Sequence, residues 1–521
     1  MIKYKNTAKD FLSDERGVFA VIFGLMSIIL IAVSGGVVDF VNVQNARSMA
    51  QTAIDSTTLS LQPTIFTNSE AQILALAEPI LIERLSTINV SVDLETVTIN
   101  PDQGTLFMEA RLNVPLSFLS LVGVSNMNTR VSSQATRKQL FLEVAMVLDN
   151  SGSMNSYSRM TNLKTAASNA TEILFDGAAT STTTKIGIIP FTSFVNIGAN
   201  NANSPWIDNA GNSSIAPDNF DNDNNDSTPF FGPVNRLALY NQLSNAQWGG
   251  CVEARPHEQI AGTSTNLDTD DIEPIANNPD TLFVPSFSPD TPDSWAGWQS
   301  DYENDSSNCP ELSGASDRER QERLCKYQGS IDTSSWGPNF DCPSTPILPL
   351  SDQKSDILTA IDDMDAGGAT NIHMGAIWGY RVLSSTRPFI EGRPYDPDTK
   401  KVLIIMTDGE NTMYAANNMN GAYYYSPYGF PVNERIGALG WSNNQLRSEM
   451  NNRTIESCTN AKASNIVIYT IGLDPPNSTT QSMLEDCASS LSQAFFPENP
   501  SELDDVFAQI ANQLSALRIA Q

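Results

Sequence analysis

The alternation of apolar and polar residues predicts a long N-terminal helix followed by a small sheet. Residues 18–38 carry no charge, and a stretch of that length suits a helix that crosses a bilayer. Helical periodicity continues through residues 40–61, and residues 69–86 show a second, amphipathic helical pattern. Three runs with a period of two then predict the strands of a small sheet, at residues 89–94, 106–114 and 128–135.

From residue 139 onward, short apolar runs alternate with helical patterns. The predicted strands are 141–148, 185–192, 401–407 and 466–472. The predicted helices are 158–176, 352–366, 372–385, 446–464, 478–491 and 500–517. Such alternation is typical of an α/β fold with a doubly wound, mostly parallel sheet and helices on both faces. Ligands of such folds bind at the carboxyl ends of the strands.

Two insertions interrupt this alternation. Residues 194–345 are rich in Asn, Asp, Ser and Pro, and a structureless loop of that length is unusual inside a compact domain. The cysteines and tryptophans of this insertion therefore predict an ordered subdomain. Residues 411–445 are rich in Tyr, Asn and Gly. Their aromatic residues suit either contacts with a partner or a self-packed loop, and the sequence leaves both interpretations open.

Basic residues before the apolar stretch predict how the chain is oriented in a membrane. Lys3, Lys5, Lys9 and Arg16 precede the stretch, and such a flank favours a cytoplasmic N-terminus. The stretch is long for a cleaved signal peptide, and the helical pattern continues beyond it. We therefore expect a cytoplasmic segment 1–17, a transmembrane helix 18–38, a helix with a small α+β stalk 39–138, and the α/β domain 139–521.

Composition excludes one class of partner and indicates the compartment. The chain of 521 residues has a formal net charge of -29, which repels the phosphates of nucleic acids. All the cysteines follow the apolar stretch, and their even number suggests disulfides in an oxidising compartment. Cys458 and Cys487 flank one predicted strand, so we expect them to pair. The sequence leaves open how the other four cysteines pair, which are Cys251, Cys309, Cys325 and Cys342. A zinc site is the less favoured alternative, because the chain has no Cys-x-x-Cys pair.

Oxygen-bearing side chains follow two of the predicted strands. Asp149-Asn-Ser-Gly-Ser153 comes directly after the run 141–148, and Asp408 comes after the run 401–407. A third segment, Gly367-Gly-Ala-Thr-Asn-Ile372, offers the hydroxyl of Thr370 immediately before a predicted helix. The set contains carboxylates and hydroxyls without Cys or His, which hard divalent cations such as Mg²⁺ favour.

The motif Asp149-x-Ser151-x-Ser153, together with Thr370 and Asp408, resembles the metal-ion-dependent adhesion site of von Willebrand factor A (vWA) domains. The resemblance spans about residues 140–515 apart from the insertions. It implies that Ser151, Ser153 and Thr370 offer hydroxyls to Mg²⁺, Mn²⁺ or Ca²⁺, and that Asp149 and Asp408 act directly or through water. It also implies that an acidic group of a protein partner completes the coordination.

The N-terminal part resembles the TadE/TadG-like proteins of the tight-adherence (Flp) pilus system. The residues that carry this resemblance are Glu15-Arg-Gly-Val-Phe-Ala-Val-Ile-Phe23, Gly36-Val-Val-Asp-Phe40 and Ala53-Ile-Asp-Ser-Thr-Thr-Leu59. The order of anchor, stalk and vWA domain is also similar to that family. It implies a single-pass inner-membrane protein whose C-terminal domain is periplasmic or faces outward. Ile22 stands where a prepilin cleavage site would need Glu, which argues against processing as a pilin.

The sequence leaves the role of two further features open. Asp221, Asp223 and Asn225 alternate as in a calcium loop, but the central Gly and the closing Glu are missing, so a solvated acidic loop is the alternative to a Ca²⁺ site. The small residues Ala32 and Gly36 permit close helix contacts, which leaves homo-oligomerisation open.

These patterns lead to three functional hypotheses. The first is a metal-dependent adhesion protein, bound to pilus-assembly or envelope components, that assists assembly or anchoring of the pilus. The second is an oligomeric envelope scaffold whose metal only stabilises the fold. The third is a metal-assisted hydrolase, which finds less support because the chain has two histidines and lacks a Gly-x-Ser-x-Gly elbow or a phosphate-binding loop. We therefore expect a binding protein, not an enzyme.

Overall fold

A computed structural model describes residues 16–519, apart from 67, 89, 102, 138–139, 222–231, 260–264, 296–299, 310–313, 335 and 476. The chain divides into two compact units, and the boundary between them falls between residues 139 and 140.

The first unit combines two helices with an antiparallel sheet of three strands in the order β1-β2-β3. Its elements are α1 (Arg16–Leu61), α2 (Glu70–Leu85), β1 (Ser91–Asn100), β2 (Thr105–Pro115) and β3 (Asn126–Thr136). Ser69 and Gln72 form a capping box that starts α2, which satisfies backbone N–H groups that the helix would otherwise leave unpaired. Apolar residues of both helices and all three strands share one core.

Among the described residues, one helix is long and apolar enough to cross a membrane, by length and composition. Asp39 of this helix directly follows the uncharged residues 18–38. The carboxylate of Asp39 is buried and accepts hydrogen bonds from the backbone N–H groups of Ser117, Phe118 and Leu119, at 3.0, 2.8 and 2.8 Å. Gly36 lies beside Leu119 of the same chain.

The second unit contains a six-stranded sheet in the order β6-β5-β4-β7-β8-β9. Its strands are β4 (Phe141–Asp149), β5 (Thr184–Phe191), β6 (Leu348–Ser351), β7 (Thr399–Thr407), β8 (Val467–Gly472) and β9 (Ala494–Phe495). All neighbouring pairs are parallel except β5 with β6. The predicted α/β fold class with a mostly parallel sheet is confirmed, and β6 and β9 are strands that the apolar pattern did not predict.

The α-helices described in the second unit are α3 (Arg159–Phe175), α4 (Arg236–Gln242), α5 (Asp317–Glu322), α6 (Lys354–Asp362), α7 (Ile372–Leu383), α8 (Asn443–Ala463), α9 (Ser478–Cys487) and α10 (Leu503–Ile519). The short helices α4 and α5 lie within the first insertion.

Central strand β4 is buried on both faces. Ala145 and Val147 pack into the core that contains α7 and α8, whereas Val144, Met146 and Leu148 pack into the core of α3 and α10. From β4 the chain continues to β5, which lies on one side of β4 in the sheet, and later forms β7 on the other side. Such a reversal of strand order opens a crevice at the carboxyl ends of the strands.

The first insertion shares the core of the α/β domain. Its aromatic residues, including Trp206, Phe283 and Tyr327, belong to the same buried cluster as Val147 and Ile189. In the second insertion, Tyr425 and Tyr428 are buried, whereas Tyr414 and Tyr423 are exposed. The second insertion is therefore partly self-packed and partly available for contacts.

All six cysteines form disulfides. The predicted pair Cys458–Cys487 is confirmed, and the other bonds are Cys251–Cys342 and Cys309–Cys325. Of the alternative calcium loop, Asp223 and Asn225 lie outside the described residues; Asp221 is described, and its backbone pairs with the chain at Glu322 and Leu324.

Candidate metal centre

Two adjacent strands deliver the carboxylates of the candidate site. Asp149 is the last residue of β4, and Asp408 directly follows the last residue of β7. The two strands pair in parallel with Leu148 opposite Met406, so both carboxylates reach the same edge of the sheet. Asp149 is fully buried, and Asp408 is 5% exposed.

Backbone hydrogen bonds hold the hydroxyl-bearing loops against each other. The N–H of Gly152 donates to the carbonyl of Gly368 at 2.9 Å, and the N–H of Gly367 donates to the carbonyl of Asn150 at 2.8 Å. Gly368 has a φ of +75° and approaches the carboxylate of Asp341 so closely that a Cβ would lie 2.0 Å from its Oδ1. A side chain at this position would push the loop away, so the glycine keeps Thr370 beside Ser151 and Ser153.

All four carboxylate oxygens of the site have partners within the chain. Asp149 accepts a hydrogen bond from the N–H of Ser151 at 2.7 Å and another from the hydroxyl of Thr407 at 2.6 Å. Asp408 accepts one from the hydroxyl of Ser153 at 2.5 Å and forms an ion pair with Arg159 at 2.7 Å. The hydroxyls of Ser151 and Ser153 lie 3.0 Å apart.

The electrostatics of the site favour a cation. Burial, and after it the charge of Asp408, raises the pKa of Asp149 to about 7, although hydrogen bonds from Thr407 and Ser151 oppose the shift. Two carboxylates in a buried site repel each other, and a positive charge between them relieves the repulsion.

Four of the five predicted residues line a small cavity. Ser151, Ser153, Thr370 and Asp408 line an opening of about 300 Å³. Asp149 is not part of the lining; it is fully buried and accepts a hydrogen bond from the backbone of Ser151. The donors are carboxylate and hydroxyl oxygens, which fit Mg²⁺, Mn²⁺ or Ca²⁺. In the part of the chain that the structure describes, no group of three or more His, Cys, Asp or Glu side chains is arranged for a metal, so a cation here would depend on the hydroxyls.

Three polar neighbours of the site did not emerge from the sequence. Thr407 and Arg159 bind the carboxylates of Asp149 and Asp408. Glu410 also lines the cavity, but its carboxylate pairs with Arg447 at 2.6 Å and accepts from Asn477 at 2.5 Å. The only available signal was their position within a few residues of the motif, which does not distinguish them from ordinary surface residues.

Both histidines contact Asp268, in a network separate from the candidate metal site. His373 is fully buried and contacts the hydroxyl of Tyr428 at 2.7 Å and the carbonyl of Asp268 at 3.1 Å. His257 contacts the carboxylate of Asp268 at 2.7 Å. Neither histidine is among the residues that line the candidate metal site.

Comparisons with known proteins return solved structures alone: no family model and no curated protein sequence matches the chain. The pilus adhesin SpaC from Lactobacillus rhamnosus GG aligns with 12% identity over 82% of this chain and 34% of its own, at a TM-score of 0.34. The chain thus spans about a third of SpaC. The vWF domain of the type V pili tip protein Mfa5 from Porphyromonas gingivalis aligns with 10% identity over 73% and 96% of the two chains, at a TM-score of 0.34.

A third similar structure is proximal thread matrix protein 1 from the mussel byssus, with a zinc-occupied MIDAS motif. It aligns with 11% identity over 73% of this chain and 48% of its own, at a TM-score of 0.29. Likenesses at these scores do not assign a function to this chain.

Proposed function

We propose that this protein is a membrane-anchored binding protein whose α/β domain captures a protein partner through a divalent cation. Asp149, Ser151, Ser153, Thr370 and Asp408 would hold the cation, and a carboxylate of the partner would complete its coordination. The resemblance of residues 15–59 to TadE/TadG-like proteins supports a role in assembly or anchoring of a tight-adherence (Flp) pilus.

The convergence of three separate loops carries this proposal. The segments at residues 149–153, 370 and 408 place two carboxylates and three hydroxyls at one sheet edge, although the first lies more than 200 positions before the other two. Only two of these donors are charged, so a bound Mg²⁺ would retain affinity for a further anionic oxygen. The cavity is bordered by Tyr414, which is 44% exposed, and an exposed aromatic side chain suits contact with a protein.

The hydrogen bonding of the site favours a binding metal over a structural one. Each carboxylate oxygen of Asp149 and Asp408 already has a partner within the chain. The fold therefore does not need a cation to satisfy these buried groups. This observation supports the adhesion hypothesis against the scaffold hypothesis.

The proposed location follows from the N-terminal helix and the disulfides. Residues 18–38 of α1 would cross the inner membrane of a Gram-negative bacterium with the N-terminus in the cytoplasm. The α/β domain would then lie in the periplasm or face outward, where disulfides such as Cys458–Cys487 persist. We propose binding, not catalysis, because the carboxylates that line the cavity, Asp408 and Glu410, are engaged in ion pairs with Arg159 and Arg447.

A pull-down tests the proposed function. The full-length chain in detergent is immobilised and exposed to solubilised envelope proteins with Mg²⁺ or with EDTA. We expect specific proteins to be retained with Mg²⁺ and released by EDTA, and an Asp149→Asn variant to retain none of them. Equal retention with EDTA, or by the variant, would contradict metal-bridged binding.

Arg159 is expected to weaken cation binding, because its guanidinium lies against Asp408 and repels a divalent ion. Replacement by alanine should raise the affinity for Mg²⁺ roughly tenfold, measured by calorimetry on the full chain. The Arg159→Lys variant retains the charge and should resemble the wild type. A fall in affinity in the alanine variant would show instead that Arg159 chiefly holds Asp408 in place.

A further inference from the structure

Aromatic residues of both insertions converge next to the candidate metal site. Trp336 and Phe340 come from the first insertion, and Tyr414, Tyr423 and Tyr424 come from the second. These five residues, which we call the aromatic groove, line a cavity of about 1080 Å³. Trp336 stacks on Phe340 at 4.8 Å between ring centroids, and Tyr424 lies 5.4 Å from Trp336 and 5.6 Å from Tyr414.

The aromatic groove is continuous with the candidate metal site. Gly368, Ala369 and Tyr414 line both cavities. Trp336, Tyr414 and Tyr423 are 37%, 44% and 46% exposed, although burial of aromatic side chains is strongly favourable. A contiguous, exposed group of this kind marks a binding surface, and its shared wall means that one ligand can occupy both cavities.

Polar side chains in the wall of the groove are largely engaged within the protein. Asn245 donates to the carbonyl of Ile331 and accepts from its N–H, both at 2.9 Å. The amide of Asn339 donates to the carbonyl of Gln247 at 2.7 Å and accepts from the N–H of Gly249 at 2.8 Å. The two asparagine amides are thus occupied within the protein, and the groove offers a ligand chiefly the ring faces and hydroxyls of its aromatic residues.

Charge restricts the ligand further. No Lys, Arg or His is among the described residues that line the groove. The carboxylate of Asp341 accepts from the N–H of Ala369 at 3.0 Å and from the hydroxyl of Ser193. An acidic group of a ligand therefore finds no positive partner in the groove itself and would be drawn to the adjoining metal site.

We propose that the aromatic groove binds an extended, proline-containing segment of the protein partner, with an acidic residue of that segment at the metal site. This proposal rests on the proposed function. Proline rings stack on aromatic side chains, and a polyproline II segment requires few hydrogen bonds and loses little entropy on binding. Tyr414, Tyr424 and Trp336 follow one another at ring-to-ring steps of 5.6 and 5.4 Å, so a segment that passes over all three rings needs at most about three or four residues at ~3.1 Å each.

Synthetic peptides test this proposal with the full-length chain in detergent and Mg²⁺. Two capped probes contain Asp-Pro-Pro-Pro and Pro-Pro-Pro-Asp. Each has two matched probes: in one, glycine replaces every proline, and in the other, asparagine replaces the aspartate. We expect at least one proline probe to bind at least tenfold more tightly than both of its matched probes. Trp336→Ala and Tyr423→Ala should remove the advantage of proline over glycine without changing Mg²⁺ affinity. Tyr395→Ala, at a tyrosine outside the groove that is 41% exposed, should retain the advantage.

The outcomes separate this proposal from the proposed function. If Mg²⁺ does not bind the chain, the proposed function fails. If Mg²⁺ binds but neither proline probe does, or proline and glycine probes bind equally, the groove proposal alone is overturned. Binding of a uronic-acid oligosaccharide in place of the peptides, with loss in Trp336→Ala, would also overturn it.

Discussion

Replacement of Asp149 by asparagine is expected to reduce the affinity for Mg²⁺ by more than about a hundredfold. Residues that only orient a metal ligand already change metal affinity by ~10–100-fold, and Asp149 supplies one of the two carboxylates of the site. The change leaves the shape of the side chain intact. The remaining oxygen can accept from the N–H of Ser151, and the amide can donate to the hydroxyl of Thr407. Calorimetric titration of the full chain with Mg²⁺ measures the loss.

The same variant separates metal binding from stability. Without metal, we expect Asp149→Asn to melt at the same temperature as the wild type or higher, since the variant removes a buried charge next to Asp408. Glu410→Gln is the matched control, because Glu410 lines the cavity but pairs with Arg447, and it should change Mg²⁺ affinity little. A strongly lowered melting temperature in metal-free Asp149→Asn would favour a structural role for the site.

Replacement of Lys326 by methionine is expected to destabilise the α/β domain by roughly 3–5 kcal/mol. The ammonium of Lys326 is fully buried, with Asp290 at 2.7 Å and Asp305 at 3.1 Å. Its loss leaves two buried carboxylates without their counter-charge. Urea unfolding followed by tryptophan fluorescence reports the change, because Trp206 and Trp248 belong to the core of the domain.

The loss of stability in Lys326→Met should depend on pH. Burial raises the pKa of Asp290 to about 6 even beside Lys326, and removal of the lysine raises it further. A carboxyl whose pKa is higher in the folded state than in the unfolded state destabilises the fold increasingly as pH rises above its unfolded pKa. The deficit of Lys326→Met should therefore be smaller at pH 4 than at pH 7.

A matched surface variant completes this test. Lys354 pairs with Glu172 at 2.8 Å, but the carboxylate is 47% exposed, so Lys354→Met should change stability by less than about 1 kcal/mol. If Lys326→Met and Lys354→Met unfold at the same urea concentration, the buried ion pair within the first insertion does not stabilise the domain.

Strong apolar patterns made the sheet predictable, and short or irregular segments did not follow from them. Strand β4 is buried on both faces, so its sequence is a continuous apolar run. Strands β6 and β9 have four and two residues, which is too few to establish a period. The first insertion is held together by contacts between residues that are well separated in sequence, such as Lys326 with Asp290. The linear pattern of apolar and polar residues does not predict such pairs.

The candidate ligands were predictable because each follows a strand or starts a helix in a short motif. Their neighbours were not. Arg159 reaches Asp408 across 249 positions of sequence, and Thr407 reaches Asp149 across 258. The aromatic groove likewise depends on how two insertions pack together, so Trp336 and Tyr424 meet only in the folded chain.

The location of bound Mn²⁺ by anomalous diffraction tests the central claim most directly. Crystals of the full-length wild type and of Asp149→Asn, grown in detergent, are compared after the same exposure to millimolar Mn²⁺. We predict a single anomalous peak among Ser151, Ser153 and Thr370 in the wild type and no peak there in the variant. The absence of a peak at this position in the wild type, or its persistence in Asp149→Asn, would contradict the assignment of the metal centre.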